Sequence, residues 1–267
     1  MFRELYPLAW NYHRNTCRWP FNLHGINPKG AGITAFEENP SAPFLPLPKS
    51  EPVTTGLSEL IAARASCRRF ASEPLSQAQL GTVLRNSYGV LGESTGFGGF
   101  VERPVPSGGA LYPLELYVLA QKVEGISAGV LHYVPPAHGL EVLHDEPLPR
   151  LLTAEVFLGQ PYLANAAAII VIAAVLERSL WKYEDRGYRY ILLEAGHVAQ
   201  NAILSAHGLG LSVLPLGGFF DDDLGGLLRL QPERAIVLYG IAIGVPDVIG
   251  RDERRVPPDG DERFRRY

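Results

Sequence analysis

Arg64-Ala65-Ser66-Cys67-Arg68-Arg69-Phe70 gathers three guanidiniums and a hydroxyl at a predicted helix end. Guanidinium forks match phosphate or carboxylate oxygens and serine adds a donor, although a solvated basic turn has the same composition. Pro106-Ser107-Gly108-Gly109-Ala110-Leu111-Tyr112-Pro113 leads from a loop into a strand. Its paired glycines either bring backbone N–H groups close to a ligand or make a plain turn. Lys182 and Tyr183 follow a predicted buried strand. A partly dry pocket tunes such groups for proton transfer, and surface anchoring is their simpler use. Glu194-Ala195-Gly196-His197 has the Glu-x-x-His spacing of di-iron bundles, but no second copy on an expected helix accompanies it, so a buried or interface hydrogen-bonding pair is expected. His13, His24 and His132 show no metal-ligand spacing, and no metal is expected. Cys67 has arginine neighbours but no catalytic partner, and reads as structural. There is neither a GxGxxG after a strand nor a P-loop lysine.

The stretch Tyr183 to Phe219 organises the chain around these groups. Ile191, Leu192, Ala195, Val198, Ala199, Ala202, Ile203 and Ala206 recur at helical spacing. Small side chains on that stripe, with Gly196 in mid-helix, predict close packing against the core or a second subunit. Gly208 and Gly210 end the helix, and Leu211 to Leu216 forms a short strand delivering Gly217 and Gly218.

Upstream, residues 1–50 show no sustained period, and five prolines between Asn39 and Pro52 exclude a regular element there. An extended arm on the body or on a partner is expected, with a disordered tail as the alternative. Leu57 to Ala65 has helical spacing, and Ser76-Gln77-Ala78-Gln79 is a capping box opening a second helix. Gly89 to Gly109 reads as a loop. Strands are expected at Leu114–Ala120, Gly129–Val134, Leu140–His144, Ala166–Leu176 and Ile236–Ile243. A helix is placed near Leu148–Leu158, and Asp221 is read as capping another through Leu228. Strands and helices intermix without a βαβ repeat, which predicts α+β with a mixed sheet. The expected division is an arm over residues 1–54, a ligand-binding domain over 55–250 and a charged tail over 251–267.

The 24 basic and 28 acidic residues give a formal charge of −4, which argues against nucleic acid or an anionic membrane as partner. Arg3, Glu4 and Asn11 break the first apolar segment, and the run Ala166–Leu176 is too short for a bilayer. Two cysteines make no disulfide framework, so a cytoplasmic location is expected.

Taken in order, Arg-x-Ser-x-Arg-x-Phe, the Pro-Ser loop, Ala199-Gln200-Asn201, Gly208-Leu209-Gly210 and Pro215-Leu216-Gly217-Gly218 resemble the nitroreductase-like flavoproteins. More narrowly, PSGGALYPLELYV, RGYRYILLEAGHVAQN and PLGGFFDD resemble the SagB-type (McbC-like) dehydrogenases, over roughly residues 55–245. Tyr12-His13-x-x-Thr16 is similar to that subfamily as well.

The resemblance implies an FMN-dependent α+β fold forming an intertwined homodimer with flavins at the interface. Arg64, Ser66 and Arg68 would hold the phosphate and ribityl chain, with Arg251 or Arg255 as a further phosphate ligand. Ser107 and Gly108 would line the flavin from the partner subunit, and Leu216, Gly217 and Gly218 would place amides at the ring edge. Donors around the ring and guanidiniums at the phosphate suit the charges involved. The group oxidises thiazoline or oxazoline rings to azoles in modified peptides. Lys182 and Tyr183 occupy the position of its Lys-Tyr pair, assisting proton removal while hydride passes to FMN and oxygen reoxidises it. A peptide or carrier-bound substrate and companion modification enzymes are the implied partners. An NAD(P)H-dependent nitro- or quinone reductase and a non-catalytic scaffold are the rival readings.

Overall fold

The computed structural model describes residues 2–17, 39–93, 101–146 and 150–247. In chain order the elements begin with α1 (Phe2–Leu5), α2 (Pro7–Asn15), β1 (Phe44–Pro46), α3 (Leu57–Ala63) and α4 (Gln77–Tyr88). A small hairpin, β2 (Gly92–Glu93) and β3 (Val101–Glu102), precedes β4 (Leu114–Ala120), β5 (Gly129–Val134) and β6 (Gly139–His144). Then come α5 (Arg150–Val156), β7 (Ala168–Val175), α6 (Glu177–Tyr183), α7 (Asp185–Gly208), β8 (Ser212–Leu216), α8 (Asp221–Leu227) and β9 (Ala235–Gly244).

Seven strands form one sheet in the order β1-β6-β5-β4-β7-β9-β8, every neighbouring pair antiparallel. Central β7, AIIVIAAV, is buried along its whole length, as a strand covered on both faces must be. Alternation along β4 sends Leu114, Leu116, Val118 and Ala120 to the face covered by α4 and α7. Tyr117 and Leu119 point to the other face, with Phe157, Leu163 and Leu224. The α+β expectation is met, and β4 and β5 have the predicted bounds.

The helix termini follow local chemistry. Ser76 Oγ accepts the Gln79 N–H at 3.1 Å and Gln79 Oε1 accepts the Ser76 N–H at 3.0 Å, which is the predicted capping box. At the end of α7, Leu211 N–H donates to Ala206 O and Gly210 N–H to His207 O, with Gly210 at φ 73°. That is a Schellman stop built on glycine.

Five local expectations need correction. Residues 1–50 are not wholly irregular: Pro7 stands in the first turn of α2, where its fixed φ suits a helix. No residue of α2 is buried, so no apolar period was needed to form it. Phe44–Pro46 forms β1 despite its proline, because it pairs as the edge strand of the sheet. The Gly89–Gly109 loop contains the β2–β3 hairpin. Phe220, not Asp221, is the N-cap of α8, and Asp221 to Asp223 fill its first turn, where carboxylates suit the helix dipole. Leu192, assigned to the inward stripe of α7, is 43% exposed, and its neighbour Leu193 is 62% exposed. These two and Gly196, with open space around an added Cβ, give α7 a smooth outer face.

The arm lies on the body where it is described. Leu47 is buried, and Asn39 donates through N and Nδ2 to Glu141 at 3.0 and 3.2 Å. Tyr12-His13-x-x-Thr16 docks α2 on the start of α7. Thr16 Oγ1 accepts from Arg189 Nε at 2.6 Å, Thr16 O from Arg186 at 3.0 Å, and Tyr12 stacks edge-on against Tyr188. Among the described residues no helix is long and apolar enough to cross a membrane.

Candidate active site

Gly109 sits at φ 64°, and an added Cβ there would lie 2.6 Å from Tyr183 Oη and 2.7 Å from Lys182 Nζ. Only glycine combines that conformation with that approach. Gly108 packs on the Tyr190 ring, which meets Tyr183 edge-on at 5.0 Å. Ser107, Gly108, Lys182 and Tyr183, more than 70 residues apart in sequence, therefore form one cluster. Ala110 and Tyr112 also have positive φ, 54° and 44°. Left-handed non-glycine residues cost roughly 1–2 kcal/mol each, so packing and hydrogen bonds must hold this segment.

Lys182 and Tyr183 do not open the central helix, as the sequence suggested. They end a separate helix, α6, because Glu184 turns the chain at φ 51° before α7 starts. Gly187 keeps that junction tight against Ser179 O and the Leu180 side chain. Both functional groups are half-buried.

A buried row of charges anchors α6 from behind. Arg178 Nη1 lies 2.6 Å from Glu115 Oε1. Glu115 Oε2 is 2.9 Å from His132 Nε2, and His132 Nδ1 is 3.0 Å from Glu141 Oε2. The row runs from the arm through β6, β5 and β4 to α6. Arg178 stands one helical turn before Lys182, so fixing it sets the rotation of α6 and the direction of Lys182. Burial pushes the His132 pKa down, but the hydrogen bonds and charges of Glu115 and Glu141 outweigh it and the net direction is up. Burial pushes the Glu141 pKa up, but the hydrogen bonds from His132 and Asn39 and the His132 charge outweigh it, and Glu141 is held below its ordinary value.

Removing one partner of such a buried pair is expected to cost about 3–5 kcal/mol. Arg178→Met tests this by urea unfolding. The pH sign follows from the two directions. The His132 contribution is complete below its unfolded value, about 6.5, and is lost as pH rises through the higher folded value. The Glu141 contribution is complete above about 4.5 and is lost as pH falls through the lower folded value. Unfolding free energy is thus expected to fall as pH rises from about 6.5 through the higher folded value of His132, and Glu141→Gln is expected to shrink that fall.

A second cluster lies along β8. After α3, residues 64–68 run extended: Cys67 N–H donates to Val213 O at 2.8 Å and Ala65 N–H to His207 Nε2 at 3.0 Å. Alternation buries Cys67 and leaves Arg64, Ser66 and Arg68 exposed on one side. Arg64 Nη1 reaches Ser66 Oγ at 3.5 Å. At the other end of β8 the ladder closes with Leu216↔Gly240. Gly217 beyond it is exposed, with nothing nearer an added Cβ than the Tyr239 ring at 3.8 Å. Four residues of strand, about 13 Å, separate Val213 from Gly217. An exposed cationic end and an open glycine end at that spacing suit a ligand with an anionic tail and a flat head.

Within one chain the two clusters mark different ends of α7. His207 contacts the Arg64–Arg68 segment, and Tyr190 contacts Gly108. Seventeen helical residues between them correspond to about 25 Å. Arg251 and Arg255 lie outside the described residues.

Glu194 and His197 are not a pair. His197 is exposed, whereas Glu194 is 2% exposed and its Oε1 accepts from Tyr88 Oη at 2.7 Å. Burial pushes the Glu194 pKa up to about 7, against hydrogen bonds from Ser107 and Tyr88 and the Arg103 charge. Sequence reasoning gave Arg178, Glu115 and Glu141 no role and weighed His132 only as a metal ligand. A signal was present: three successive apolar strands carry a carboxylate or an imidazole in their interior, Glu115, His132 and Glu141.

Residues 61–245 match the Nitroreductase family. MJ1384 of Methanocaldococcus jannaschii, a protein named for the nitroreductases, is 39% identical over 175 residues, 66% of this chain and 85% of its own. The Microcin B17-processing protein McbC of Escherichia coli is 37% identical over 142 residues, half of each protein. Among solved structures, a chain of the E. coli microcin synthetase McbBCD complex with truncated pro-MccB17 bound superposes with TM-score 0.59 at 26% identity. That superposition covers 91% of this chain and 94% of the other. The glycine-ended β8, the α3 exit and the small-residue α7 all lie inside the matched span, and the chain is a McbC-like member of the nitroreductase family.

Proposed function

We propose that this chain is an FMN-dependent dehydrogenase that oxidises thiazoline or oxazoline rings to azoles in a modified peptide, working with companion modification enzymes. The observation that carries the reading is the convergence of Lys182 Nζ and Tyr183 Oη on Gly109, beside Ser107 and Gly108. Members of the nitroreductase family are FMN-dependent, and the donors along β8 fit that cofactor. Arg64, Ser66 and Arg68 would hold its phosphate and ribityl chain, and Leu216, Gly217 and Gly218 would meet the ring through backbone amides. The separation of the two clusters in one chain supports a homodimer in which one copy supplies Ser107, Gly108, Lys182 and Tyr183 to the β8 cluster of the other. The smooth outer face of α7 supports the same arrangement.

Aromatisation removes a proton from one ring carbon and a hydride from its neighbour, and a C=C bond forms between them. Bound FMN supplies the two-electron acceptor, with molecular oxygen as terminal oxidant. Lys182 Nζ or Tyr183 Oη takes up the proton. Tyr190 and the Gly108–Gly109 backbone hold those two groups beside the substrate and limit water around them.

The test is to load the protein with FMN, add an azoline-containing peptide without oxygen, and follow flavin absorbance and peptide mass. Flavin bleaching with loss of two hydrogens from the peptide is the expected result. Rapid bleaching by NAD(P)H with the azoline untouched would replace this reading with that of a nitro- or quinone reductase. Protein that refuses FMN would point to a scaffold.

A further inference from the structure

One buried carboxylate ties down both ends of the strained segment that faces Lys182 and Tyr183. The Ser107 hydroxyl and Tyr88 Oη both donate to Glu194, the latter at 2.7 Å. Ser107 Oγ accepts the Tyr112 N–H at 2.9 Å, and Tyr88 Oη accepts the Leu114 N–H at 3.2 Å. Between these ties Gly109, Ala110 and Tyr112 all adopt left-handed backbone, which two of the three residue types avoid unless held there. The Arg103 guanidinium lies 4.0 Å from the centre of the Tyr88 ring and 4.8 Å from that of Tyr112, and its Nη1 donates to Tyr88 O at 3.3 Å.

We propose that Glu194 is a positioning residue for the proton-transfer pair: through Ser107 and Tyr88 it holds the 107–114 segment in the conformation that lays Gly109 against Lys182 and Tyr183. Its catalytic consequence rests on the function proposed above. Its structural consequence does not. The groups facing Glu194 are Tyr88 from α4, Ser107 and Tyr112 from the segment itself, and Arg103 just after β3, with Glu102 acting on Tyr112. Above about pH 7 the carboxylate is ionised and both oxygens accept; below it a proton occupies one oxygen and one tie weakens.

The experiment uses the full chain with Glu194→Gln and, separately, Tyr88→Phe, which leaves the carboxylate in place and removes the tie to Leu114. Amide hydrogen exchange in peptides spanning 107–114 is expected to speed up about tenfold or more in both variants, with β7 unchanged. On an azoline peptide the native protein is expected to lose kcat on the acid side of about pH 7. In Glu194→Gln kcat is expected to be about tenfold lower and flat across that range, with KM within twofold. Unchanged exchange and an unchanged acid limb in Glu194→Gln would overturn the proposal. If that variant does not fold, exchange in Tyr88→Phe decides it in the same way. A native protein that oxidises no azoline counts against the proposed function, and exchange alone then decides the role of Glu194.

Discussion

Replacing Arg64 and Arg68 together by alanine is expected to weaken FMN binding by about 10²–10⁴-fold while leaving the melting of the flavin-free protein nearly unchanged. Hydrogen bonds to a charged group contribute about 1.5–3 kcal/mol each, and losing two converts to that range of affinity. Stability is spared because both side chains are exposed. Arg69 supplies the control. Arg69 is equally exposed but lies outside the Arg64, Ser66 and Arg68 set proposed for the phosphate, so Arg69→Ala is expected to change FMN affinity by less than about twofold. Fluorescence titration of apoprotein with FMN reads all three. Equal losses for Arg69→Ala and the double variant would mean that only summed positive charge attracts the cofactor, with no phosphate seat at that strand face.

The second large effect concerns the proton. Lys182→Ala combined with Tyr183→Phe is expected to lower azoline oxidation by about 10²–10⁴-fold, the usual worth of a positioned acid–base group, while FMN binding persists. Turnover by mass spectrometry and flavin content by absorbance separate the two properties. Full-rate oxidation by the FMN-loaded double variant would remove both residues from the mechanism. A mixing experiment then locates the site. If the β8 cluster and the Lys182 cluster of one centre come from different copies, co-expressing the Arg64/Arg68 variant with the Lys182/Tyr183 variant restores activity. In the mixed dimer one centre then has both defects and the other has neither. If each chain carries a complete centre, the mixture stays as inactive as its parts.

Much of this was legible residue by residue. The capping box at Ser76, the glycine stop after α7 and the apolar run of β7 are local signals, written within one turn or one strand. Propensity and periodicity act over that same short range. The ordered motifs at Arg64–Phe70, Ser107–Gly109 and Leu216–Gly218 were enough to indicate the family, because a family resemblance lives in order and spacing along the chain.

Two elements show where local reading stopped. Helix α6 looked like the first turn of α7 because Lys182-Tyr183 and the residues after them are compatible with one continuous helix. The break at Glu184 lies in a positive φ at a residue that is not glycine. Likewise α2 has no fully buried residue, and its identity comes from Pro7 at its start and from Arg186 and Arg189, which hold Thr16 at its end.

By itself the sequence determined the α+β class, the long strands, most of the helices, and the residue types able to grip an anion or move a proton. Tertiary structure alone decided which of them meet. Glu194 finds Tyr88 across 106 positions and Arg189 finds Thr16 across 173, while Arg178, Glu115, His132 and Glu141 become one row only when three strands and α6 pack together. The reason is physical: a buried polar group must find its partner wherever packing brings one within about 3 Å, and no spacing along the chain encodes that encounter.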